Sequence, residues 1–367
     1  MADTYVSAGL TAEQWDDKFF TEYLTENRFA SEMGTNESNI IQVKENLTKK
    51  KGDRINFALV NKLTNAAVLG SSTLEGNEED MASRSFDLTV NKRRNGVRVA
   101  EIDEQFSAIS LREASKVVLK EWSLKDTETL IIEALASKNG VNYSSASEAQ
   151  KDAWLVDNAD RVLFGAATSN NSANDHSASL ANCDTTADKL TTDAISLMKF
   201  MALTTASPRI RPVRIAANGR HYFVLYADPR LFRDLQSNAT ITQAQREVNL
   251  EMENNRLFQG GDLLWNGVII KEVHEMYDVL ATAGGLNIAG NGGNTAVGCA
   301  FLCGAQALGA AYAKRWTSRQ QTFDYGDKPG VAIEAIYGIG KMQFGRGVSD
   351  RDDLVDHGCV TGYFATT

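Results

Sequence analysis

The densest collection of potentially reactive side chains lies in LEGNEEDMASRSFDLTVNKRRNGVRV, residues 74–99. Glu75, Glu78, Glu79 and Asp80 stand close together, and Lys92, Arg93 and Arg94 follow as a basic run. Paired carboxylates do acid–base work only in a cleft that fixes their separation and drives their pKa values apart. Acids gathered at a hairpin tip would be solvated and equally acidic. Three cations beside four anions also make a poor nucleic-acid footprint. Two readings remain: a solvated charged hairpin, or an arm whose blocks of opposite charge match a neighbouring subunit and set register. The second is preferred, because it accounts for the length of the ribbon and the mixed signs together.

Other motifs carry less. GLNIAGNGGNTAVG, residues 285–298, has the glycines of a phosphate loop but no Lys to reach a phosphate, and no acid at the spacing of a dinucleotide fingerprint. It reads as a flexible loop ending at the start of an Ala-rich helix. Asp175, His176 and Ser177 place triad residue types side by side, but triads are assembled across space and adjacent residues rarely face one another. The sequence has neither a GxSxG elbow nor an HExxH. His221, His274 and His357 are scattered. SDRDDLVD, residues 349–356, offers oxygen ligands without the central Gly or closing Glu of an EF-hand, and reads as a solvated acidic turn. Cys299 and Cys303 lack a second pair at zinc spacing, so they and Cys183 and Cys359 read as small packing residues. No catalytic residue, cofactor or metal is expected.

The elements that would position these groups follow from periodicity. Thr11 and Gln14 fit a capping box, and Trp15, Phe19 and Tyr23 form one aromatic stripe of a first helix that something must cover. Ile55, Phe57 and Leu59 alternate with smaller or polar residues, as do Phe86, Leu88 and Val90, and then Val97 and Val99. Residues 52–101 therefore read as a long β-hairpin with a charged tip. Ten strand residues span about 33 Å, and a lone two-stranded ribbon is marginal in water, so another copy of the chain is expected to supply its floor. A helical region follows from a capping box at Ser110 and Glu113 to Ser137, as one helix of about 40 Å or two, with Gly140 as its stop.

Residues 165–182 have the composition of a surface loop. Residues 191–203 read as a helix with Ile195, Leu197, Met198, Met201 and Leu203 toward the core. Asn218-Gly219 and Asn266-Gly267 mark hairpins, and Asp228-Pro229 starts a short helix. The apolar stretch 297–313 reads as a buried helix rich in small residues, shorter than the roughly 20 residues a spanning helix needs. Residues 330–344 read as one or two strands. Without a βαβ rhythm, the fold class is α+β.

The 367 residues carry a formal charge of −9 and are 43% hydrophobic, enough for a sizeable core. The charge argues against general affinity for DNA or an anionic membrane. No signal peptide is expected, since the first residues lack a basic start followed by an apolar run.

The order of these elements resembles the major capsid proteins of tailed bacteriophages with the Hong Kong 97-type fold, and more narrowly the capsid family named after coliphage N four. KGDRINFALVNKL with LEGNEED, SPRIRPVRI with HYFVLYADPRLFRDL, NRLFQGGDLLWNGVIIKEV, CGAQALGAAYAKR and DYGDKPGVAIEAIYGIGKMQF carry the resemblance, over roughly residues 5–345. It implies an N-terminal arm at 1–50, an extended loop at 51–101, and a peripheral domain at 102–209 with a spine helix at 103–137. It further implies an axial domain at 210–324 and a C-terminal strand at 325–367 returning to the peripheral domain. The implied function is self-assembly, as hexamers and pentamers, into the icosahedral shell around a double-stranded DNA genome. Scaffolding, portal and cement proteins are the implied partners, with only weak inner-wall contact to DNA and none to a membrane. The inter-subunit contacts would come from Glu75, Glu78, Glu79, Asp80, Lys92, Arg93, Arg94, Trp15, Phe19 and Tyr23. Two other classes stay open: an enzyme holding a phosphorylated ligand at 285–298, and a tail or decoration protein.

Overall fold

The computed structural model describes residues 29–45, 52–60, 65–70, 72–79, 83–106, 111–184, 187–205, 208–214, 221–247, 258–259, 262–346 and 353–366. The expected first helix, with Trp15, Phe19 and Tyr23, lies outside these residues, as do Asp80, Ser110 and Asn218-Gly219.

The strands are β1 Met33–Gly34, β2 Ile41–Lys44, β3 Arg54–Val60, β4 Ser83–Thr89, β5 Asn91–Arg98, β6 Val162–Phe164, β7 Val213–Arg214, β8 His221–Ala227, β9 Phe258–Gln259, β10 Asp262–Trp265, β11 Val268–Glu272, β12 Ala296–Cys303, β13 Leu308–Phe323, β14 Lys328–Lys341, β15 Gln343–Gly345, β16 Leu354–Asp356 and β17 Cys359–Thr366. The α-helices are α1 Glu101–Phe106, α2 Leu111–Ala136, α3 Glu148–Asn158, α4 His176–Ala181, α5 Thr192–Thr204, α6 Pro229–Gln236 and α7 Ala239–Glu247. Strands and helices mix without βαβ order, so the fold is α+β.

One sheet runs β1-β2-β13-β14-β5, with β14 antiparallel to both β13 and β5. α2 lies on its inner face. Free of Gly and Pro, α2 continues through Ser123–Asp126, where the sequence left a restart open. At 26 residues it is about 39 Å long. Leu119, Ile131, Ile132 and Leu135 are buried against Trp316, Ile333, Ala335 and Tyr337. Trp122 meets Trp316 edge-on at 5.9 Å, and the Thr127 and Tyr337 hydroxyls are hydrogen-bonded at 3.0 Å. Gly140, at φ +80°, turns the chain beyond the helix.

The second sheet runs β6-β17-β12-β8-β11-β10-β9, with β7 also paired to β8. This corrects the reading of 297–313 as a buried helix: β12 and the start of β13 occupy that stretch. β12 is buried on both faces. Val297, Cys299, Phe301 and Cys303 enter the core that includes α2, while Ala300 and Leu302 enter a second core with Ile195 and Met198 of α5 and Leu231 and Phe232 of α6. The four cysteines are free and buried, and burial pushes the Cys183 thiol up to about 12.

The turn chemistry matches the sequence where it is described. Asn266 and Gly267 take φ of +46° and +73° between β10 and β11, and Asp228 caps α6 with Pro229 in its first turn. In α5, Ile195, Met198 and Met201 are buried, but Leu203 is exposed. Residues 165–182 are not only surface loop: α4 forms there, and its His176 is fully buried. The turn expected at 349–356 is not wholly solvated either. Asp356 is buried and accepts hydrogen bonds from Lys341 and Gln343 at 2.7 Å and from Trp154 at 3.2 Å.

Candidate assembly surfaces

The ribbon is a shorter hairpin than expected. β3 pairs with β4 from Arg54↔Thr89 to Val60↔Ser83. β5 leaves it and pairs instead with β14, from Asn91↔Tyr337 to Arg98↔Gly330. Its base also has a floor in its own chain, contrary to the expectation that only another copy supplies one. Ile55, Phe57 and Leu88 are buried against Ala311, Met342 and Phe344. Glycines make that floor low. A Cβ on Gly309 would lie 3.0 Å from Phe57, one on Gly340 2.9 Å from Leu88, and one on Gly338 2.1 Å from the Thr89 carbonyl. Toward the tip the apolar side chains come out: Val60, Leu69 and Leu74 are exposed.

The described acids and bases of the opening stretch have separate partners within the chain. Glu78 accepts the Gly76 N–H at 2.6 Å and Glu79 the Asn65 N–H at 2.7 Å, so these carboxylates shape the loop. Glu75 is exposed. The bases sit at the other end of the hairpin, on β5, one seven-residue strand away, or about 23 Å. Arg93 points inward to Asp126 on α2, and that hydrogen-bonded carboxylate raises the pKa of the guanidinium. Lys92 and Arg94 take the outward face. Lys92 Nζ lies 2.7 Å from Glu334, which also receives Lys314 at 2.5 Å and Arg319 at 2.7 Å. Lys314 first, then Lys92, pull the Glu334 carboxyl down to about 2.

Strand alternation puts Arg98 on the same face as Arg94. Lys92, Lys314 and Arg319 thus meet on one carboxylate, with Arg94 across the strand from it and Arg98 further along over the Phe323 ring, a basic face on a chain of net charge −9. The sequence reading missed Asp126, Glu334, Lys314 and Arg319. A second exposed surface is apolar: Ile102 and Phe106 of α1 and Val117 and Val118 of α2.

The remaining sequence candidates are accounted for locally. The loop at 285–298 leads into strand β12, not a helix. Its N–H groups at Gly290, Asn291, Gly293, Asn294 and Thr295 donate to the chain's own carbonyls rather than framing an anion site. Asp175 caps α4 by accepting the Ala178 N–H at 2.8 Å. Among the described residues no helix is long and apolar enough to cross a membrane.

A short ribbon carrying an acidic loop thus stands on a body with a basic sheet face, two charged surfaces of opposite sign. The family model described as "Phage capsid protein" matches residues 3–366, and the chain belongs to that family. It is a component of the virion shell. A curated relative, the "Major capsid protein" of Pseudomonas phage KPP25, is 27% identical over 374 residues, covering 98% of this chain and 96% of the relative. Among solved structures, the capsid asymmetric unit of cyanophage Pam1 matches with a TM-score of 0.81 and 32% identity over 100% of this chain and 99% of that one. The capsid of Ralstonia phage GP4 shares the fold, with a TM-score of 0.71 and 22% identity over 93% of this chain and 91% of that one.

Proposed function

We infer that the chain is the major capsid protein of a tailed bacteriophage, self-assembling into the icosahedral shell that encloses the double-stranded DNA genome. The observation that carries this is similarity to a capsid subunit along the full length of both chains. The Hong Kong 97-type fold and the coliphage N four-like subfamily are the finer reading. On that reading residues 1–50 are the arm, 51–101 the extended loop, 102–209 the peripheral domain with α2 as its spine, 210–324 the axial domain, and 325–367 the returning strand. Pairing of β14 with β5 supports the return, whereas β17 pairs with β12 in the other sheet.

The contacts between copies follow from charge. The loop bearing Glu75, Glu78 and Glu79 stands too far from its own Lys92 and Arg94 to neutralise them, and a neighbouring copy brings its basic face within reach. Many weak contacts made at once hold such a shell, because each bound copy raises the effective concentration for the next contact. Hexamers and pentamers, scaffolding, portal and cement partners, and weak inner-wall contact to DNA belong to the same proposal.

The test is expression of the full chain, alone and with the phage's other assembly proteins, followed by electron microscopy. Hollow closed shells are expected. A chain that never grows beyond one or two copies under either condition would overturn the reading.

A further inference from the structure

Residues that the sequence keeps apart meet beside α4. Glu148 opens α3, Asp152 lies one turn further on, and Asp175 caps α4; one carboxylate oxygen from each lies within 4.8 Å of the others. Two oxygens on one ion can be separated by at most twice the metal–oxygen distance, about 4.8 Å for calcium, and these three meet that condition pair by pair. Each acid also has a local contact. Asp175 Oδ1 accepts the Ala178 N–H at 2.8 Å and the Ser177 hydroxyl at 2.9 Å. Asp152 Oδ1 accepts the His176 N–H at 2.8 Å, and Lys151 Nζ lies 3.6 Å from Glu148. Asp152 and Asp175 both cap α4, each with a second oxygen to offer, and Glu148, which caps nothing there, joins them.

His176 is the independent observation. It is fully buried among the rings of Tyr143, Phe164 and Tyr363, and neither ring nitrogen has a hydrogen-bond partner. Its Nδ1 faces Glu148 Oε1 at 3.6 Å, beyond hydrogen-bond range. An imidazole has an N–H to give in either of its tautomers. An idle donor directed at a carboxylate is the support that metal-binding carboxylates commonly receive from behind.

We propose that Glu148, Asp152 and Asp175 bind a hard divalent cation of the calcium type, with His176 as the positioning residue behind Glu148. Glu148 and Asp175 are exposed, so water completes the coordination, which calcium tolerates in irregular geometries. Lys151 gives way to the ion and keeps the face of Tyr143, 4.6 Å away, as its alternative contact. The ion ties α3 to α4 and closes the segment between them.

The test uses the full chain stripped with a chelator and titrated with calcium chloride, read by calorimetry and thermal unfolding. One calcium per chain and a rise in Tm are expected, with affinity falling at least about ten-fold in Asp152→Asn and Glu148→Gln. His176→Leu is expected to weaken binding while His176→Gln, which keeps an N–H, restores it. Terbium supplies a readout on the unaltered chain: tyrosine-sensitised emission that calcium displaces and Tyr143→Phe diminishes. No heat and no sensitised emission at millimolar metal, or binding unchanged in Asp152→Asn, would overturn the proposal.

Discussion

Arg93 and Asp126 form a two-point ion pair: Nε and a terminal nitrogen of the guanidinium donate to the two carboxylate oxygens at 2.7 and 2.8 Å. The pair joins β5, just beyond the ribbon, to the middle of α2, and the Tyr337 hydroxyl donates to the same carboxylate at 3.2 Å. Arg93 is thereby an internal strut, which alters what charge reversal in the basic run would do. Arg93→Ala is expected to lower unfolding stability by about 1–2 kcal/mol. Arg93→Lys should lose part of that, because an ammonium cannot reproduce the fork. Urea unfolding checks this, and an unchanged midpoint in Arg93→Ala would refute the strut.

The glycine floor gives a second expectation. Gly338→Ala places a methyl 2.1 Å from the Thr89 carbonyl oxygen, backbone against backbone, where no rotamer can relieve the overlap. It should cost about 1–3 kcal/mol, lifting β4 from the body. Gly76 takes φ +86° in open space, so Gly76→Ala should cost only the left-handed strain of one residue, about 1–2 kcal/mol. The discriminating readout is limited proteolysis of the ribbon. Gly338→Ala should expose it and Gly76→Ala should not; equal cleavage in both would show that the floor does not hold β4.

What was legible in the sequence follows the range of each interaction. The alternation of Ile55 and Phe57 with polar neighbours is local, as are the Asn266-Gly267 turn and the Asp228 cap, and these were read correctly. The stretch 297–313 was misread because β12 is buried on both faces. Alternation disappears there, and Ala, Gly and Cys favour neither period. The ion-pair partners were invisible for another reason: Lys92 and Glu334 become neighbours only through the β5–β14 register, which no local pattern encodes. The acids around His176 likewise come from two helices separated by β6.

Lys138 is fully buried, and its Nζ sits 3.1 Å from the centre of the Trp154 ring with no hydrogen-bond partner. Burial first, and then repulsion from Lys341, lower its pKa well below the ordinary lysine value. The unfolded chain therefore binds an extra proton between the lowered value and about 10.4, and stability rises with pH across that window. Lys138→Met should stabilise the fold by about 1–3 kcal/mol at pH 7 and flatten the slope between pH 7 and 9. Denaturant melts at both pH values test this; a destabilised variant would mean that the aromatic contact outweighs the desolvation.

His357 carries an acid-side prediction. Burial, with repulsion from Arg161 and Arg211, pushes its pKa down to about 4. Its contribution is complete above about pH 6.5 and is lost as pH falls toward 4, because over that range the unfolded chain takes up a proton that the folded one refuses. The loss reaches roughly 3 kcal/mol. His357→Gln should remove that part of the acid slope without disturbing the edge contact with Phe344 by more than its own packing cost. Melts from pH 7 to 4 give the comparison, and parallel curves for the two proteins would assign the slope to other groups.

The separation of acids from bases supplies the sharpest test of how copies meet. Changing Lys92 or Arg319 would disturb Glu334 inside the fold, so the probes on the basic face are Arg94 and Arg98, exposed residues of β5 that form no ion pair with Glu334. Arg94→Glu with Arg98→Glu should leave unfolding within about 0.5 kcal/mol of the parent yet reduce the yield of closed shells. Glu75→Lys should do the same from the loop side, since Glu75 is exposed in the single chain, whereas Glu78 and Glu79 hold loop N–H groups. Mixing the two variants should assemble better than either alone, because a reversed loop then meets a reversed face. Equal shell yields in all four samples, counted by electron microscopy, would remove the charge contact while leaving the capsid assignment intact. Rescue only in the mixture would show that the contact runs between copies, since no single chain in it carries both reversals.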